Sequence, residues 1–91
     1  MAKYDTDSEK TIKLDFPVTV DAMEYKELTM RRPKTKDSIA ASKFKGSEAE
    51  RGIFLMAKLC NVSPDVIEEL DEVDANKLGE QHKAFTGRQS D

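Results

Sequence analysis

The sequence predicts an α+β domain: an N-terminal β-hairpin followed by about four α-helices packed on one face of it. Three observations carry that prediction. Apolar residues occupy every second position from Ile12 to Val20, and Leu28 and Met30 keep the same period in a second short run. After Pro33 the apolar spacing changes to three or four, interrupted by helix-start signals.

Ile12, Leu14, Phe16, Val18 and Val20 alternate with Lys13, Asp15, Pro17 and Thr19, which is the pattern of a strand with one buried face. Pro17 has no N–H for a ladder bond, so it marks an edge or a bulge. Asp21-Ala22-Met23 makes the turn. In the second strand, Glu24 to Arg32, Tyr25 is out of phase with Leu28 and Met30. Either a bulge separates them or Tyr25 packs on the opposite side. A lone hairpin is marginal in water, so the helices must cover its apolar face.

Pro33 ends the strand, and Lys34 to Phe44 reads as a helix anchored by Ile39, Ala40 and Phe44, with Gly46 placed to close it in a left-handed conformation. Ser47-Glu48-Ala49-Glu50 is a capping box. The helix it opens runs to about Cys60, with Asn61 as its terminator. It is apolar around much of its circumference, which places it at the centre of the fold, with Phe54 and Leu55 among its chief anchors. Ser63-Pro64-Asp65 starts a short helix held by Val66, Ile67 and Leu70. Asp71-Glu72-Val73-Asp74 opens the last, in which Ala75, Leu78, His82 and Phe85 share a side and Gly87 ends the run. The polar residues 1–9 are expected to be a disordered leader, 10–87 a single domain, and 88–91 a disordered tail.

Composition narrows the class. Charged residues make up 36% of the chain against 37% hydrophobic, yet the net charge is only −3, which favours a small fold over a disordered polyelectrolyte. The longest apolar run is the five residues Ile53 to Ala57, far short of the ~20 needed for a membrane span, and no signal peptide opens the chain. One cysteine excludes an internal disulfide framework. The expectation is a soluble cytoplasmic protein.

Catalytic, cofactor and metal sites are all expected to be absent. Cys60 and His82 are the one candidate thiol–imidazole pair, but Cys60 ends an apolar helical face and His82 lies on the apolar side of the last helix. Two such residues are too few for structural zinc, and Asp71, Glu72 and Asp74 lack the spacing of a calcium loop. The four glycines are scattered, so no phosphate-binding loop exists.

Charge is segregated. Residues 31–46 carry six bases against Asp37, whereas residues 65–74 carry six acids and no base. Complementary patches of this kind suit docking on other proteins and weak, head-to-tail self-association. The basic segment 31–45 also admits an alternative, a small nucleic-acid-binding regulator. Against it stand a pI near 5.2 and the lack of an aromatic platform within the basic run.

Two segments together resemble a known family. Glu27-Leu28-Thr29-Met30-Arg31-Arg32-Pro33-Lys34, closing a hairpin begun by Pro17-Val18-Thr19-Val20-Asp21, is similar to the front half of the Mu-like phage tail assembly chaperones. Ala49-Glu50-Arg51, and Leu59 to Pro64 leading into Ile67-Glu68-Glu69-Leu70-Asp71, resemble the second half. The resemblance spans roughly residues 10–87. It implies a non-enzymatic protein of the bacterial host cytoplasm, absent from the mature virion. Such a protein would keep the long apolar tape-measure protein soluble during tail morphogenesis and would meet the tail tube protein as a further partner. Arg31, Arg32 and Lys34 are the expected protein-binding residues, as an electrostatic contact at the rim of the client site.

Overall fold

The computed structural model describes residues 4–87, so the outermost parts of the expected leader and tail, residues 1–3 and 88–91, lie outside the described residues. The element order is β1 (Glu9–Val20), β2 (Met23–Arg31), α1 (Thr35–Lys43), α2 (Glu48–Cys60), α3 (Pro64–Glu69) and α4 (Glu72–Thr86). The α+β class and the hairpin-then-four-helices order are as the sequence predicts. The strands form an antiparallel two-stranded sheet, and α2, α3 and α4 pack against its apolar side.

The hairpin turns through Asp21 and Ala22, both with positive φ (52° and 65°), the geometry whose twist matches that of paired strands. Pairing runs Val20↔Met23 to Val18↔Tyr25, breaks, and resumes from Lys13↔Glu27 to Glu9↔Arg31. Residues 14–17 of β1 therefore stand opposite Lys26 alone. That irregularity settles the Tyr25 question in favour of a bulge, which lies on β1 around Pro17. It also corrects the expected burial of Phe16, which is 53% exposed although Ile12 and Leu14 are buried in phase with it.

The bulge frees two main-chain donors, and a distant acid takes both. The N–H of Asp15 donates to Asp74 Oδ1 at 2.8 Å and that of Phe16 to Asp74 Oδ2 at 3.0 Å. Asp74 lies in the first turn of α4 and is fully buried. Lys77, one turn on, reaches Asp74 at 3.3 Å and Asp15 at 2.8 Å. Burial pushes the Asp74 carboxyl up, but the two N–H bonds and Lys77 outweigh it and hold the group below the usual carboxylate range.

The helix ends follow their signals with two corrections. Ser47 Oγ accepts from Glu50 N and the Glu50 carboxylate accepts from Ser47 N, a closed capping box. Asn61 (φ 55°) ends α2 and Gly87 (φ 72°) ends α4, both left-handed. Gly46 does not close α1 in that way. The helix stops at Phe44 in an extended conformation, and Arg51 donates to the Phe44 and Gly46 carbonyls instead. Glycine is needed at 46 for space, since a Cβ there would meet the Phe44 ring at 2.9 Å.

The second correction concerns the core. Its most deeply buried side chains are Phe85, Met30, Leu59, Leu78 and Val66, drawn from the sheet and three helices. Phe54 and Leu55 are only half-buried, and Phe54 stacks on Phe44 at 4.8 Å at the edge of the molecule. In α1 the buried residue is Asp37, while Ile39 is 50% exposed.

Residues 4–8, expected to be free leader, run along α4. Asp5 N donates to the Ala84 carbonyl at 2.7 Å, Arg32 N to the Ser8 carbonyl at 2.9 Å, and Gln81 to the Asp5 carboxylate at 3.1 Å. A polar segment is held here because main-chain groups, to which hydrophobic periodicity is blind, supply most of the bonds.

Candidate functional site

Where β2 hands over to α1, the Arg31-Arg32-Pro33-Lys34 run enters the structure as three different things. Arg31 forms a two-pronged ion pair with Asp37, NH1 to Oδ2 and NH2 to Oδ1, both at 2.8 Å. Lys34 N also donates to Asp37 Oδ2 at 2.8 Å, which fixes the start of α1. The Arg31 guanidinium, followed by the Lys34 N–H, brings the buried Asp37 carboxyl down to about 2 against its desolvation.

Arg32 points the other way. Its guanidinium donates to the main-chain carbonyls of Asp5, Asp7 and Phe85 and sits 5.8 Å from the Tyr4 ring centre and 5.2 Å from that of Phe85. It ties residues 4–8 to the C-terminal end of α4. The structure thus gives both arginines intramolecular work and leaves them partly exposed, whereas Lys34 of the expected trio is exposed.

Around them lies a groove of about 600 Å³ between α1 and α4. Tyr4, Ala41 of α1 and Leu55 of α2 give it apolar surface over the buried Phe85 of α4, and Ser38, His82, Arg32 and Lys34 line it with polar groups. A part-apolar groove with basic groups in its lining suits an apolar segment that carries acid groups at one edge. Sequence reasoning found Lys34 but missed Ala41 and Leu55, whose shared surface is created by the gap between two helices.

The chemistry of the remaining candidates is that of structure. Cys60 is buried, and burial pushes its thiol up to about 11, far from a reactive thiolate. It lies in the core, whereas His82 lines the groove. Among the described residues no group of three or more His, Cys, Asp or Glu side chains is arranged to hold a metal ion. No helix among them is long and apolar enough to cross a membrane.

A small helical cap on a hairpin, with a solvent-open groove and its arginines spent on holding the scaffold, has the form of a protein-binding module. The profile of the family described as "Phage tail assembly chaperone proteins, E, or 41 or 14" matches residues 11–87, and the chain belongs to that family. Comparison with curated proteins and with solved structures gives no match.

Proposed function

We propose that the chain binds the tape-measure protein of its phage, seats an apolar helical segment of it in the α1–α4 groove, and so keeps it soluble in the host cytoplasm during tail morphogenesis without catalysis. The family match over residues 11–87 carries this reading, and the groove supports it by offering a concave surface, part apolar and part polar, that an amphipathic helix can occupy. Lys34 in the groove's lining supplies the electrostatic contact, which sets specificity and on-rate more than affinity. Arg31 and Arg32 act behind it, by fixing the start of α1 and the end of α4. The tail tube protein is the natural second partner, replacing the chaperone as the tube polymerises.

Co-expression with the tape-measure gene tests the reading. The tape-measure protein is expected in the soluble fraction, co-purifying with this chain. Equal insolubility with and without the chaperone, and no co-purification, would refute it.

A further inference from the structure

The groove lies at one end of α4, and the opposite end of the same helix carries the complementary chemistry. There Val73 is 48% exposed, and Phe16, whose N–H bonds the next residue Asp74, is exposed as well. Phe16 is held outward, because its N–H is fixed on the buried Asp74 carboxylate. Glu68, Glu69, Asp71 and Glu72 lie exposed in the segment leading up to Val73. Among the described residues, none of these four carboxylates forms an ion pair, and neither does the ammonium of Lys34 or Lys36 beside the groove. Exposed apolar side chains preceded by unpaired acids therefore lie at one end of α4, and a part-apolar groove with unpaired bases lies at the other.

One copy cannot satisfy itself. From Val73 to Phe85 an α-helix rises about 18 Å, so the two surfaces sit at opposite ends of a rigid element. We propose that, when no client is bound, the groove takes the Phe16–Val73 end of a second copy. Val73 then covers the groove at Leu55 and Tyr4, while Glu69 and Glu72 face Lys34 and Lys36. Because the two surfaces differ, the contact is heterologous and copies add head to tail instead of closing as a two-fold dimer. The inference rests on the client reading in one respect only: client and neighbouring copy compete for the same groove, so self-docking shields its apolar surface until a client displaces the copy.

Sedimentation velocity of the full chain without client provides the test. The wild-type protein is expected to show average mass rising with concentration at about 0.02 M salt and falling toward monomer at about 0.5 M, where screening shortens to a few ångströms. Two charge-reversed variants, Lys34→Glu/Lys36→Glu and Glu69→Lys/Glu72→Lys, should each stay monomeric at concentrations where the wild type associates. An equimolar mixture of the two should associate again, since each then offers the other a complementary end. That recovery shows at once that both variants are folded. Val73→Ser, a neutral change at an exposed position, should weaken association about tenfold or more.

A wild-type protein that remains monomeric at high concentration and low salt would overturn the proposal. So would variants that associate as well as the wild type does, or a mixture that fails to recover association. A monomer whose Lys34→Glu/Lys36→Glu form loses the tape-measure protein would overturn self-docking while leaving the groove to the client alone.

Discussion

Arg31→Ala should destabilise the fold by about 2–3 kcal/mol while leaving the groove's own lining untouched. The change removes both 2.8 Å bonds to Asp37 and leaves a fully buried carboxylate with the Lys34 N–H as its remaining partner. Breaking a buried ion pair typically costs ~3–5 kcal/mol. The Arg31 side chain is 39% exposed, so water replaces part of what is lost, and the lower figure follows. Against a total stability of ~5–10 kcal/mol for a domain this size, urea denaturation reads the change as a large drop in midpoint at unchanged slope. Arg31→Met/Asp37→Leu should recover most of the loss, because both charges leave together. Acid titration adds a second reading. Asp37 is held at about 2 against an ordinary 3.8, a folded-state depression. Its contribution, of order 1–2 kcal/mol after screening at the exposed guanidinium, is present above about pH 4 and lost as pH falls toward 2. The double variant should lack that part of the acid slope and still solubilise the client. A loss below about 0.5 kcal/mol for Arg31→Ala, or a double variant no better than the single one, would refute the structural role assigned to Arg31.

Asp74→Ala strands the Asp15 and Phe16 N–H groups at the bulge and should cost about 3 kcal/mol, at ~1–3 per unsatisfied group; unchanged amide-exchange protection at those two residues would contradict it. Ala22→Gly should stabilise by about 0.5–1 kcal/mol, since φ 65° strains an alanine more than glycine's extra chain entropy costs, and a lowered melting temperature would count against the turn geometry. Phe85→Ala should cost ~3–5 kcal/mol and Phe54→Ala clearly less, because Phe85 is fully buried and Phe54 is stacked at the edge; equal losses by thermal melting would return the core to α2.

Much of the fold is legible in the sequence because its signals are local. Alternation from Ile12, the Ser47–Glu50 box, and the left-handed Asn61 and Gly87 each depend on residues within a few positions of one another. Three features were hidden because they depend on how elements pack and not on the local pattern of residue types. Phe16 keeps the strand's period yet turns outward, since the acid that captures its N–H is Asp74, 58 residues away. Asp37 looks like one polar residue in a basic helix, and only the approach of Arg31 at the end of β2 makes it the buried member of α1. Phe54 and Leu55 look central on helical spacing, but α1 covers only one flank of α2 there, and the gap toward α4 becomes the groove. The candidate site was therefore half visible: its basic groups stand in the sequence as Arg31, Arg32 and Lys34, whereas its apolar surface exists only after the helices have packed.

Site-specific photo-crosslinking in cells assembling phage tails tests whether the α1–α4 groove holds the tape-measure protein. A photoreactive residue at Ser38 would sit on the groove wall, and one at Thr29, whose hydroxyl meets that of Thr11 at 3.0 Å on the exposed side of the hairpin, would face away from it. Ser38 is expected to capture the tape-measure protein and Thr29 is not. Capture from Thr29 without Ser38, or from neither position, would contradict that placement.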